Sequence, residues 1–181
     1  LIIASTLEGL TRVAASVDGR AQPRLAENWA WENEGRRLRL KLRPDVVFHD
    51  GTPLSSQVAA DALRRAIARP GNQALYPSLA DIANIKTDGA LELVLELSRP
   101  SAFLPEELDL PLGIGPENAG TGPFRLVKRD ASGILLERYD RYYLGAPEID
   151  QIVIRPFDTL RTAWASLLRG DVYMVTDVPP E

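Results

Sequence analysis

From Arg37 to Arg43 apolar and basic residues alternate, with Leu38, Leu40 and Leu42 on one side and Arg37, Arg39, Lys41 and Arg43 on the other. A period of two puts successive side chains on opposite faces and predicts a half-buried strand. Pro44 ends it, since proline cannot donate to a ladder. "LELVLEL" repeats the pattern, with Leu91, Leu93, Leu95 and Leu97 inward and Glu92 and Glu96 outward. Residues 133–139, residues 149–157 and "GPFRLV" at 122–127 also read as strands. Leu1–Leu10 is apolar and suggests a helix or buried strand running into a break at Gly9. Two helices are predicted. Ser55 or Ser56 caps the first, and Val58, Ala59, Ala62, Leu63, Ala66 and Ile67 form its apolar stripe before the stop at residues 69–71. The second, Thr159–Leu168, carries Leu160, Ala163, Trp164 and Leu167 at helical spacing and closes at Gly170. With residues 1–10 taken as a strand, the main order is β, β, α, β, loop, β, β, α. The Pro- and Gly-rich stretch 101–119 is the irregular crossing.

Composition adds limits. The chain has 181 residues, 45% hydrophobic and 25% charged, with a net charge of −4. That is globular usage and argues against disorder. The mild acidity gives no reason to expect nucleic acid. No cysteine is present, which excludes disulfides and thiolate metal sites. No apolar run reaches the roughly 20 residues a spanning helix needs. The abrupt start and end read as cut ends.

Four stretches carry candidate chemistry. The basic strand could line a phosphate groove, but no aromatic residues interleave. A solvated face beside the acidic "LELVLEL" strand fits better, with Arg39 and Glu96 as an expected pair. "GPENAGT" (115–121) approaches a phosphate loop but lacks its lysine and leads into a strand rather than a helix. "PEELD" (105–109) groups three carboxylates without the spacing of a calcium loop, and reads as a solvated loop or helix start. His49, the sole histidine, has too few companions for zinc and no nucleophile elbow. Asp50-Gly51 is a turn dipeptide, so His49 is expected to be a turn residue, solvated or bonded locally. No metal, cofactor or catalytic residue is assigned.

One segment carries a resemblance. "PRLAENWAWENEGRRLRLKLRPDVVFHDGTPLSS" resembles the signature of the family 5 extracellular solute-binding proteins. The matching residues are Pro23, Leu25, Ala26, Trp29, Leu42, Arg43, Val47, Phe48, Asp50, Gly51 and Pro53. "EGL" at Glu8–Leu10, "GTGPF" at Gly120–Phe124, "YDRYYLGAPEIDQIVI" and "LLRGDV" follow the family order. Tyr143 stands where the family usually has Trp, and Asp171 comes one residue early.

The resemblance implies an α/β (mixed α+β) fold: a periplasmic-binding-protein-like type II lobe, a mixed sheet with flanking helices, incomplete. It implies an N-terminal lobe over residues 1–181, with a smaller subdomain inserted over about 45–120 and the second lobe absent. It also implies a non-enzymatic, substrate-binding component of a bacterial ABC importer. Such a component takes peptides or similar small solutes between two lobes and delivers them to a membrane permease, in the periplasm or otherwise outside the cytoplasm, with a lipid anchor as one option. Its partners are the solute, the permease and the missing C-terminal lobe, without nucleic acid. The ligand-binding residues carried over are Tyr76, matching a tyrosine after the first long helix, and Thr121 between two glycines. Trp29 and Trp31 could stack on ligand, but Trp29 matches a position expected in the core. The alternative is a ligand-sensing domain of the same fold in a bacterial transcription regulator, behind a winged helix.

Overall fold

The computed structural model describes residues 2–14, 19–114 and 119–176. They fall into two compact units, Leu1–Arg125 with Arg138–Asp150, and Leu126–Glu137 with Gln151–Glu181.

The first unit opens with a short helix, α1 (Ile2–Thr6), where a strand was one of the two expectations. Two three-residue strands follow, β1 (Thr11–Val13) and β2 (Ala21–Pro23), then β3 (Ala26–Glu32) and β4 (Arg37–Leu42). Helix α2 (Ser56–Ala68), the short α3 (Asn72–Leu75) and a 3-10 turn at Pro77–Asp81 lead into β5 (Ile82–Asp88) and β6 (Glu92–Leu97). A four-residue helix, α4 (Leu104–Glu107), lies within the stretch expected to be irregular.

Strands β3, β4, β6 and β5 form one antiparallel sheet in that order. Leu38 faces Leu95 and Leu40 faces Leu93 across the β4–β6 pair. All four are fully buried with Leu42, as the two-residue period requires. Each such leucine contributes about 1.5–3 kcal/mol by leaving water. Helix α2 packs against β5 and β6 through Ala59, Ala62, Leu63 and Ala66. Small alanines let the helix approach the sheet closely. Of the two serines expected as the cap, Ser55 is the one that caps α2, its hydroxyl accepting from the Val58 N–H at 3.2 Å.

The charged face is a solvated ion-pair face beside β6, as expected, but the pairing differs. Arg39 stands opposite Val94 and reaches Glu32 at 2.7 Å, Asp88 at 2.7 Å and Glu92 at 2.8 Å. Glu96 pairs with Arg37 at 3.2 Å and Lys86 at 2.9 Å. The Arg39–Glu96 pair is thus corrected: register, which period alone leaves open, puts Arg37 opposite Glu96. β3 and β5 were not predicted. Trp29 of β3 packs against the core while Trp31 is exposed. β5 buries only Ile85 within its length, too little alternation to read.

The fold is mixed α/β, as expected, and its strands are divided among three sheets, in which the β1–β2, β3–β4, β4–β6, β5–β6 and β8–β9 pairings are antiparallel. The third sheet contains β7 (Phe124–Asp130), β8 (Gly133–Arg138) and β9 (Gln151–Ile154). The last strand is shorter than the expected 149–157. In the second unit Ile134 pairs with Ile154 and Leu136 with Ile152. Helix α5 (Leu160–Arg169) is capped by Thr159 and closed at Gly170. It buries Ala163 and Ser166, while Trp164 is exposed.

Candidate functional site

The turn at His49 forms as its residues predict. Asp50 Oδ1 accepts from the Thr52 N–H at 2.9 Å, and Gly51 takes a φ of 91° that a side chain would resist. His49 itself is not a locally bonded turn residue. Its backbone N–H donates to Gly120 O at 2.8 Å and its Nε2 lies 2.9 Å from Gly122 O. A carbonyl can only accept, so Nε2 carries a proton. The Tyr139 ring meets the imidazole edge-on at 4.9 Å, and the Tyr139 hydroxyl donates to Phe48 O at 3.0 Å. The turn is thereby fastened to the glycine-rich entry of β7.

Burial pushes the His49 pKa below its usual value, against the opposing effect of the Gly122 bond. A lowered folded value means the unfolded chain takes up the proton first. The stabilisation is therefore full above the ordinary value of 6.5 and is lost as pH falls below it. The melting temperature should drop between about pH 7 and pH 5, the range where histidine titrates. His49→Gln should flatten that segment of the profile. An unchanged slope in the variant would assign the loss to other groups.

The same glycine-rich entry meets a buried acid. Glu8 is 6% exposed and lies just after α1. Its Oε2 accepts from the Thr121 hydroxyl at 2.9 Å, and its Oε1 from the Tyr142 hydroxyl at 2.9 Å and the Tyr143 hydroxyl at 3.4 Å. Arg24 forms an ion pair with Oε1 and also donates to the Tyr142 hydroxyl at 2.6 Å. The Arg43 guanidinium stands 5.4 Å from the Tyr143 ring centre, and its Nε donates to Arg24 O at 2.7 Å. Burial, then the Glu8 charge, pushes both tyrosine hydroxyls well above their ordinary pKa. For Arg24 burial acts to lower the pKa, but Glu8, Tyr143 and Tyr142 together raise it. The cluster keeps a charged pair out of water by filling both carboxylate oxygens.

Thr121 is thus inside this cluster, 1% exposed, with its hydroxyl engaged by Glu8. Tyr76 lies elsewhere in the unit, half-buried against the core at the start of the 3-10 turn. No hydrogen bond joins the two among the described residues. Glu8, Arg24 and Tyr142 were not predicted as site residues. The readable signal was a lone acid in the apolar run "LIIASTLEGL", which must find a partner if buried.

"PEELD" begins in the helix α4, the helix start that was one of the two expectations, but its carboxylates are bonded rather than solvated. Glu107 accepts from the Ser78 N–H at 2.6 Å and its hydroxyl at 3.0 Å. Glu106 Oε1 accepts from the Ala21 N–H at 3.4 Å, and Asp109 Oδ2 from the Val13 N–H at 3.1 Å. They tie β1, β2 and the 3-10 turn to α4. Most of the phosphate-loop resemblance, residues 115–118, lies outside the described residues. Among those described, no group of three or more His, Cys, Asp or Glu is placed to hold a metal, and no helix is long and apolar enough to cross a membrane.

Residues 20–181 match the family described as "Bacterial extracellular solute-binding proteins, family 5 Middle". The chain is 32% identical over 129 residues to the "Uncharacterized protein YhjP" of Bacillus subtilis (strain 168), covering 67% of this chain and 22% of that one. It is 26% identical to the nickel-binding periplasmic protein of Escherichia coli (strain K12), covering 88% and 34%. It is 23% identical to the HTH-type transcriptional regulator SgrR of Yersinia pestis (strain Pestoides F), covering 84% and 28%. The solved oligopeptide-binding protein AppA of Bacillus subtilis, in complex with a nonapeptide, shares the fold. Its TM-score is 0.82 at 19% identity, over 94% of this chain and 38% of that one. The chain therefore spans between about a fifth and two fifths of these relatives' lengths.

Proposed function

This chain belongs to family 5 of the bacterial extracellular solute-binding proteins, and from that premise we propose that it is the N-terminal lobe of a receptor for an ABC importer. The family match over residues 20–181 carries this reading. The receptor takes a peptide or similar small solute between two lobes that close by hinge motion, and docks on a membrane permease outside the cytoplasm. It transforms nothing. A smaller subdomain over about residues 45–120 belongs to the same proposal, and its sheet draws in the strands from Ala26 onward.

Of the two residues carried over, Tyr76 is the one that meets ligand, offering an apolar ring and a polar tip. Thr121 serves the site indirectly, holding the glycine-rich entry to Glu8. A second reading, a sensor domain of a transcription regulator, draws support from the likeness to SgrR. A winged helix encoded upstream would favour it, and a secretion signal would favour the receptor.

The test is calorimetry on the complete protein with di- and tripeptides, glutathione and a nickel–histidine complex. We expect one class to bind with Kd near micromolar or tighter. The 181-residue chain should bind the same solute at least a hundredfold weaker, a loss of about 2.7 kcal/mol, since half the cleft is supplied by the other lobe. Equal affinity in the two would overturn the two-lobe reading.

A further inference from the structure

We propose that the cavity of the second unit binds a neutral polyhydroxyl compound, such as a pyranose sugar. The cavity contains neither of the two residues carried over by resemblance, and the inference does not depend on the receptor reading.

The cavity measures about 520 Å3, within the roughly 300–1,000 Å3 of ordinary small-molecule sites. Three segments wall it: the turn between β7 and β8, the link from β9 to α5, and the end of α5. Each is held in place. Gly133 leaves no room for a side chain against the Ile154 carbonyl, which seats the turn on the end of β9. The link ends at Thr159, whose hydroxyl accepts from the Thr162 N–H at 3.2 Å. At the far end of α5 the Asp171 N–H donates to Ser166 O at 2.9 Å. The Arg169 guanidinium there reaches Asp171 Oδ2 at 2.9 Å and the Ser166 hydroxyl at 3.1 Å.

The lining holds polar groups that the chain does not use. Among the described residues, Arg155 and Asp158 have no hydrogen-bond or ion-pair partner. Ser166 is 8% exposed, and its hydroxyl accepts from Arg169 but finds no acceptor for its own proton among the described residues. A buried donor left idle is costly, so the site gains from a ligand that accepts there. Asp171 is offset by Arg169, and Arg155 offsets Asp158, so the lining carries no net charge. A simple anion would meet Asp158, and a simple cation would meet Arg155. A hydroxyl both donates and accepts, so neighbouring hydroxyls can serve Arg155, Asp158 and Ser166 together, and bonds to the two charged groups are the stronger kind. The rest of the lining includes Pro156, Val172 and the Phe157 ring, which is 38% exposed. These suit the C–H face of a pyranose ring, which a small zwitterion lacks.

The probe is methyl β-D-glucopyranoside, titrated into the 15N-labelled chain at fixed ionic strength, with 5-aminopentanoate and sulfate as the charged comparisons. Saturable shifts at the amides of Ser132, Phe157, Ser166 and Val172 are expected with the glucoside, at higher affinity than with either ion. Arg155→Gln and Asp158→Asn change exposed residues, so their spectra should stay folded, and each should lower glucoside affinity about tenfold. Arg161→Gln, at an exposed arginine outside the lining, should leave it unchanged. No saturable shift with the glucoside overturns the proposal. So does full glucoside affinity in either lining variant, or an equal loss in Arg161→Gln. Tighter binding of 5-aminopentanoate or sulfate would make the cavity a site for charged solutes and overturn it as well.

Discussion

Glu8→Ala should lower the stability of the chain by roughly 3–5 kcal/mol, the cost of removing one partner from a buried pair. The magnitude follows from what would be left behind. Arg24 would lose its counter-charge, and the hydroxyls of the buried Thr121 and the half-buried Tyr142 and Tyr143 would lose their acceptor. A net loss of about 1–3 kcal/mol accompanies even one stranded buried polar group. Glu8→Gln keeps the size and part of the hydrogen bonding but not the charge, and should fall between. Urea unfolding distinguishes the cases through the midpoint at unchanged slope. A Glu8→Ala midpoint within error of the parent would mean that water replaces the carboxylate, and the cluster would then contribute little.

Gly120→Ala should be comparably damaging, at roughly 3–5 kcal/mol, in the range reserved for a named structural failure. A Cβ at Gly120 would lie 1.9 Å from the backbone oxygen of Thr6. That obstacle is main chain and cannot rotate away. Moving residue 120 instead would pull at the His49 N–H on Gly120 O, the Gly122 N–H on Thr6 O and the Thr121 hydroxyl on Glu8. Gly71→Ala is the control. It has a φ of 87° but nothing near its missing Cβ, so only the backbone preference of about 1–2 kcal/mol is at stake. Thermal melts of the two variants separate crowding from backbone preference, and equal losses would remove the close approach as the explanation.

These two predictions concern the glycine-rich entry and the acid after α1, and both lie in stretches that were legible as landmarks before they were legible as structure. "EGL" and "GTGPF" marked the family order without indicating that they meet. They lie more than a hundred residues apart, and the Glu8–Thr121 bond joins them only when the chain is folded. The same holds for His49, whose partners at Gly120 and Gly122 are distant in sequence. Tyr76 was readable only by resemblance, and Asp109 only as one of three neighbouring acids.

What the sequence determined by itself is local. The two-residue period of residues 37–43 and 91–97 specified strands with a leucine face, and Asp50-Gly51 specified a turn. The Ser55-Ser56 pair and Thr159 marked helix starts. Each follows from repulsion, hydrogen bonding and burial within a few residues. Tertiary structure alone decided that Arg37 rather than Arg39 meets Glu96, that the strands divide into three sheets, and that Glu8 gathers Arg24, Thr121, Tyr142 and Tyr143. Register and burial are properties of surfaces brought together. A side chain's neighbours along the chain constrain its face, but only its neighbours in space set its partner.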